Sequence, residues 1–127
     1  MSVIVDASAI AAVLFDEPEA APVLASIAGP LLAPSLLRYE MASVCATKMQ
    51  RQPKQANLTL RRYELFSSLT IELVEPEWET LPVIASQWGL SAYDAAYMQL
   101  ALAREAPLIT LDARLARVYD SAVAQRR

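Results

Sequence analysis

Short apolar segments of strand character alternate with helical segments along this 127-residue chain. Strands that alternate with helices favour an α/β fold, in which a parallel sheet lies between helical layers. A chain of this length fits one compact domain. The sequence therefore predicts a single α/β domain over residues 1–127, with strands at Ser2–Val5, Leu31–Ala33, Thr70–Val74 and Leu108–Leu111.

The helices between these strands are bounded by proline, glycine and capping residues. Ser35 follows Pro34 and is placed to cap a helix, and Gly89 is placed to end one. The predicted helices are Ala7–Leu14, Glu19–Ala28, Leu36–Gln50, Lys54–Ser67, Glu77–Trp88, Ser91 through Arg104, and Ala113 to about Ala124.

The composition excludes several classes of site. The chain has no histidine, so Ser-His-Asp triads, Cys-His pairs and histidine-ligated zinc sites are all impossible. One cysteine cannot form a zinc knuckle or an internal disulfide, and two glycines cannot supply a GxGxxG motif or a P-loop. Carboxylates remain available, and they act most readily through hard cations such as Mg²⁺ or Mn²⁺.

Charge and hydropathy narrow the setting. The formal net charge of −3 is not that of a generically basic nucleic-acid binder, although an enzyme can also meet phosphate through a bound metal ion. No apolar stretch is long enough to cross a bilayer, and the first residues lack the features of a signal peptide. We therefore expect a cytoplasmic protein without a membrane partner.

Two aspartates stand directly after predicted strands. Asp6 follows Ser2–Val5, and Asp112 follows Leu108–Leu111. Ligands of open parallel sheets bind beyond the carboxyl ends of the strands, so both positions are candidates for a site. Each aspartate could equally be a simple N-cap of the helix that follows it.

Two further acids stand at or inside helices. Glu40 lies on a helical stripe with Leu36, Leu37 and Val44, where a carboxylate needs a partner such as a buried salt bridge, unless the stripe edge faces water. Asp94 follows Ser91 in the pattern of a capping box, so helix capping alone could explain it.

The four acids together carry more information than any one of them. The first turns of helices that follow parallel strands gather at one edge of the sheet, and four converging carboxylates would repel one another and raise their pKa values. Bound divalent cations remove that conflict. The pattern therefore favours a metal site built from Asp6, Glu40, Asp94 and Asp112.

Four motifs, in this order and spacing, resemble PIN-domain ribonucleases of the VapC toxin type along nearly the whole chain. They are VDASAI at Val5–Ile10, YEMASV at Tyr39–Val44, SAYDAAYMQLA at Ser91–Ala101 and LITLDARLA at Leu108–Ala116. The resemblance implies a three-layer α/β/α fold with a four- or five-stranded central parallel sheet. The family's fifth strand lies near the C-terminus, where this chain has the weakly strand-like SAVAQRR.

The resemblance also implies an activity and its partners. It implies an Mg²⁺- or Mn²⁺-dependent endoribonuclease that leaves 5′-phosphate and 3′-hydroxyl ends, forms a homodimer and is inhibited by a VapB-like antitoxin. The four acids match the family's acidic positions one by one. Ser8 and Thr110 match polar positions that support the site, although a first-turn serine and a strand threonine are also ordinary. Arg114 and Arg117, which follow Asp112, are candidates for contacts with RNA phosphate, unless they simply face solvent.

Three other classes of protein could account for part of this pattern. A receiver domain needs adjacent acids after its first strand and a late lysine, whereas this chain has one aspartate there and no lysine after Lys54. A haloacid-dehalogenase-like phosphatase needs a second aspartate where this chain has Ser8. A non-catalytic PIN-like protein-binding module remains the alternative, and the presence of all four acids argues against it.

Overall fold

A four-stranded parallel sheet forms the central layer of a three-layer α/β/α fold, as predicted, in a computed structural model that describes residues 1–126. The sheet has the order β3-β2-β1-β4. Its strands are β1 (Val3–Val5), β2 (Leu31–Pro34), β3 (Ile71–Val74) and β4 (Leu108–Ile109).

The order of the strands reverses at β1. The chain steps outward from β1 through β2 to β3, and then returns to place β4 on the other side of β1. Ile4 and Val5 of β1 pair with Leu108 and Ile109 of β4. The carboxyl ends of β1 and β4 therefore meet at the switch point where open α/β sheets bind ligands.

Seven α-helices surround the sheet within the described residues. They are α1 (Ala7–Leu14), α2 (Ala20–Ser26), α3 (Leu37–Arg51), α4 (Ala56–Glu64), α5 (Leu81–Trp88), α6 (Ala92–Arg104) and α7 (Ala113–Gln125). Two short 3₁₀-helices, Pro53–Gln55 and Leu65–Ser68, flank α4. None of the helices within residues 1–126 is long and apolar enough to cross a membrane.

The core is built around β1 and α6. All three residues of β1 are buried. Helix α6 is buried on every side from Ala95 through Leu102, because it packs against β1 and β2 on one side and against α5 on another. A helix without a solvent face over two turns is held rigidly, so residues on α6 near the sheet edge have fixed positions.

Helix α5 begins four residues later than the predicted Glu77. The buried side chain of Gln99 on α6 causes the delay. Its Oε1 accepts from the Glu77 amide at 3.0 Å, and its Nε2 donates to the Glu77 carbonyl at 3.0 Å and to Thr80 Oγ1 at 2.9 Å. The side chain of Gln99 thus supplies partners for the Glu77 backbone, whose carbonyl also accepts from the Leu81 amide at 3.2 Å.

Other predicted boundaries differ in smaller ways. The expected cap at Ser35 is wrong, because α3 starts after Leu36 and has no side-chain cap. The single predicted helix over Lys54–Ser67 is instead α4 with its two 3₁₀ ends. Strand β4 stops at Ile109 rather than Leu111, because Thr110 and Leu111 turn into contacts with Ser8.

The sheet has four strands rather than five over residues 1–126. Most of the C-terminal segment considered for a fifth strand belongs to α7, and Arg127 lies outside the described residues. Two contacts hold this end of α7 in place. The Tyr119 hydroxyl donates to the Ala106 carbonyl at 2.5 Å, and Arg126 Nη1 donates to the Leu102 carbonyl at 3.2 Å.

Candidate active site

Asp6 is buried at the carboxyl end of β1 and is held by three donors. Its Oδ1 accepts from Ser8 Oγ at 2.6 Å and from the Ala9 amide at 3.1 Å, and its Oδ2 accepts from Thr110 Oγ1. The Ala9 contact makes Asp6 the N-cap of α1. Capping is therefore one of its roles, and it fixes the carboxylate at the switch point of the sheet.

Ser8 and Thr110 join the two strand ends. The Ser8 hydroxyl accepts from the Leu111 amide at 2.9 Å, and the Thr110 hydroxyl accepts from the Asp112 amide at 3.0 Å. Each hydroxyl thus donates to Asp6 and accepts from the backbone after β4. The two residues brace Asp6 against the loop that carries Asp112.

Asp112 lies on this loop as the N-cap of α7. Its Oδ1 accepts from the Arg114 amide at 2.9 Å and from the Leu115 amide at 3.1 Å. The side chain is exposed. The capping interpretation of Asp112 is therefore right for Oδ1. The Thr110 hydroxyl links this residue to Asp6, because it accepts from the Asp112 amide and donates to the Asp6 carboxylate.

Asp94 lies in the first turn of α6, and its carboxylate does not cap the helix. The Ser91 hydroxyl is the cap instead, and it accepts from the Asp94 amide at 3.1 Å. Within residues 1–126, no hydrogen bond or ion pair engages the Asp94 carboxylate. Burial raises its pKa, the Asp112 and Asp6 carboxylates raise it further, and Arg114 lowers it.

Glu40 is half-buried in the first turn of α3 and accepts from the Tyr97 hydroxyl at 2.5 Å. Burial raises its pKa, the bond from Tyr97 acts in the opposite direction, and Asp6 and Asp94 raise it again. Glu40 forms no ion pair with any described residue, so the buried salt bridge considered from the sequence is wrong over that range.

Glu40 and Asp94 lie close enough to other acids of the candidate site for their charges to raise the pKa values of these two carboxyl groups. Asp94 is influenced by Asp112 and Asp6, and Glu40 by Asp6 and Asp94. No three of them stand in a preformed metal-ligand arrangement within the described part of the chain. Local donors hold Asp6 and one oxygen each of Glu40 and Asp112. The donor set nonetheless consists only of carboxylate oxygens, which fits Mg²⁺ or Mn²⁺.

The two predicted RNA-binding arginines have different surroundings. Arg114 Nη2 donates to the Gly89 carbonyl at 2.5 Å, and its charge reaches Asp94. Arg117 is exposed on the next turn of α7. Arg114 therefore has a structural contact with the C-cap of α5, within reach of the charge of Asp94.

Sequence reasoning missed Tyr97, whose hydroxyl contacts Glu40. Its side chain is 1% exposed, and burial, followed by the bond to Glu40, raises its pKa. Tyr97 stands three residues after Asp94, a spacing that places two side chains on one face of a helix. That spacing is the signal that could have identified it.

Comparison with protein families decides the classification, because the PIN-domain family model matches residues 3–121. This chain belongs to the PIN-domain family. Over 97% of its length it is 31% identical to Ribonuclease VapC3 of Pyrobaculum aerophilum, of which the match covers 98%. Over 89% of its length it is 34% identical to Ribonuclease VapC9 of Mycobacterium tuberculosis, of which the match covers 87%. The resemblance to VapC-type PIN domains is thereby confirmed.

A solved structure shows the same fold. The crystal structure of PAE2754 from Pyrobaculum aerophilum resembles this PIN domain with a TM-score of 0.74, covering 98% of this chain and 94% of that one. The sequence identity is 20%, so this likeness concerns the fold alone.

Proposed function

We propose that this PIN domain is an endoribonuclease toxin that cleaves RNA with the help of Mg²⁺ or Mn²⁺. The observation that carries the proposal is the gathering of Asp6, Glu40, Asp94 and Asp112 near the switch point of the sheet, where burial, and after it the charge of neighbouring acids, raises the pKa values of Glu40 and Asp94. The relatives named as ribonucleases support the same chemistry.

The roles of the four acids follow from their surroundings. Asp6, together with Asp94 or Asp112, would hold the cation, and Glu40 would orient the attacking water or complete a second cation site. Asp94 has the least engaged carboxylate of the four among the described residues, so it is the acid most available to a ligand. Ser8 and Thr110 keep Asp6 in place.

The chain's own residues supply binding and orientation. Asp6 is fixed on rigid β1 by three donors, so its carboxylate need not reorganise when substrate arrives. Arg114 and Arg117 would attract the RNA backbone towards an otherwise acidic edge. A bound cation would lower the pKa of a water and stabilise charge on the phosphate oxygens.

RNA cleavage with and without added cation tests the proposal. The purified protein, incubated with total cellular RNA, should produce discrete fragments with 5′-phosphate ends in Mg²⁺ or Mn²⁺ and none in EDTA. Asp94→Asn should abolish cleavage while keeping the fold, because it removes a charge without removing a hydrogen bond of the Asp94 side chain. Asp6→Asn should also abolish cleavage.

A matched control is Asp120→Asn. Asp120 is an exposed acid on α7, in a groove with Pro107 at the opposite end of β4 from the cluster. This variant should cleave like the wild type. Undiminished, cation-dependent cleavage by Asp94→Asn or Asp6→Asn would contradict the assignment. A wild-type protein that never cleaves would point to the non-catalytic binding module instead.

The proposed function carries further expectations about partners and location. A toxin of this type would act on RNA in the cytoplasm as a homodimer and would be held inactive by a VapB-like antitoxin. Expression of the chain alone should arrest growth, and co-expression of a cognate VapB-like antitoxin should restore growth. Arrest that persists in Asp94→Asn would show that the toxicity does not come from cleavage.

A further inference from the structure

We propose that Tyr97 is a positioning residue that holds Glu40 in the acidic cluster through its hydroxyl. The inference rests on the proposed function, because it concerns the same acids. Tyr97 Oη donates to Glu40 Oε1 at 2.5 Å across the gap between α6 and α3. This is the only hydrogen bond that the Glu40 side chain makes within the described residues.

The contact is placed to fix the carboxylate. Tyr97 is 1% exposed and lies on the fully buried stretch of α6, so its hydroxyl has little freedom to move. Glu40, by contrast, lies in the first turn of α3, is half-buried and could extend into solvent. The immobile residue therefore determines the position of the mobile one.

Repulsion within the cluster explains why such a tether is needed. The negative charges of Asp6 and Asp94 repel that of Glu40, and no lysine or arginine forms an ion pair with Glu40 over residues 1–126. An untethered glutamate would turn towards water, where its charge is better solvated. The hydroxyl engages Oε1 and leaves Oε2 for a cation or a water molecule.

The arrangement also predicts which step Tyr97 affects. Because the side chain is buried behind Glu40, it cannot touch RNA directly. Loss of the hydroxyl should therefore lower kcat and weaken cation binding while leaving KM for RNA unchanged. A purely structural tyrosine would change stability without this division between kcat and KM.

The test compares Tyr97→Phe with Tyr119→Phe in the full chain. Tyr119 is also buried, and its hydroxyl donates to the Ala106 carbonyl at 2.5 Å, away from the acids. Both variants lose one buried phenolic hydroxyl and keep the ring. The readouts are kcat and KM on RNA and, without RNA, the Mn²⁺ concentration that gives half of the maximal gain in thermal stability.

Tyr97→Phe should lower kcat about tenfold and raise the half-saturating Mn²⁺ concentration about tenfold, as expected for a lost hydrogen bond to a charged group. Tyr119→Phe should change neither. If Tyr97→Phe matches Tyr119→Phe in both readouts, the inference is overturned. If the wild type neither cleaves RNA nor gains stability from Mn²⁺, the proposed function fails and this inference fails with it.

Glu40→Asp keeps the experiment decisive if Tyr97→Phe folds poorly. The shorter side chain retains the charge but withdraws it from the Tyr97 hydroxyl. It should weaken Mn²⁺ binding by a similar factor, and wild-type Mn²⁺ affinity in this variant would overturn the inference.

Discussion

Single residues in this PIN domain carry structural and chemical roles at once. From the sequence, Asp6 and Asp112 could each be either a helix cap or a residue of the candidate site. In the structure both residues cap helices and also lie among the four acids of that site. For Asp94 the sequence suggested a capping carboxylate, whereas the Ser91 hydroxyl does the capping. Sequence patterns marked the four acids as candidates, but which oxygen is engaged depends on side-chain rotamers that no pattern specifies.

The raised pKa values of Glu40 and Asp94 predict how stability depends on pH. Their pKa values in the folded protein lie above the ordinary 4.5 and 3.8, so the folded state binds these protons more tightly than the unfolded chain does. Their contribution to stability is therefore fully present at pH values below the ordinary pKa values. It is lost as pH rises through the raised pKa values of the folded protein. In EDTA, the free energy of unfolding should fall over this range.

Urea unfolding at a series of pH values isolates this effect. The wild type should lose stability relative to the double variant Glu40→Gln/Asp94→Asn as pH rises from 4.5 towards neutrality. The control variant Asp120→Asn should follow the wild type. A difference between the wild type and the double variant that stays constant with pH would contradict the raised pKa values of Glu40 and Asp94.

Among the secondary-structure elements, β4 and α5 differ most instructively from their predicted bounds. The sequence places both correctly because strand and helix periodicity are local signals. Their ends depend on long-range contacts. The Ser8 hydroxyl accepts from the Leu111 amide after β4, and the Gln99 side chain forms hydrogen bonds with the Glu77 amide and carbonyl before α5. Such contacts join residues far apart in the chain, so local pattern cannot predict them.

Gln99→Leu tests whether the Gln99 side chain holds the segment that precedes α5. The variant removes three hydrogen bonds and leaves the Glu77 amide and carbonyl without these partners, which should lower the free energy of unfolding by about 2 kcal/mol or more. Urea unfolding measures the change. Gln87→Leu, at an exposed position on α5, is the control and should be nearly neutral. Equal stabilities of the two variants would show that Gln99 does not hold this segment.

At the scale of the whole molecule, the strand order makes the site possible. The sequence predicted a parallel sheet with Asp6 and Asp112 directly after two of its strands, and the order β3-β2-β1-β4 makes those two strands neighbours. The sequence did not decide whether the sheet has four or five strands, because the final segment has no strong periodicity. Because the net charge is −3, the chain as a whole does not attract RNA, and the attraction must come from local basic groups.

Neutralising Arg114 and Arg117 should weaken RNA binding and reduce its dependence on salt. Measured in an Asp94→Asn background that leaves RNA intact, the double change to glutamine should lower the slope of log affinity against log salt by about 1.4 to 1.8. The control pair, Arg51→Gln/Arg104→Gln, lies at the far ends of α3 and α6 and should have a smaller effect. Unchanged affinity and slope in the first variant would exclude these arginines from the RNA contact.

The most direct test of the central claim is an anomalous diffraction map of crystals soaked in Mn²⁺. A cation site at the four acids should give one or two peaks at the carboxyl ends of β1 and β4, about 2.1 Å from oxygens of Asp6 and at least one other acid of the cluster. These peaks should be absent from Asp94→Asn crystals or much weaker there. Ordered Mn²⁺ bound only away from the four acids, or no peak where Mn²⁺ measurably stabilises the protein, would contradict the account.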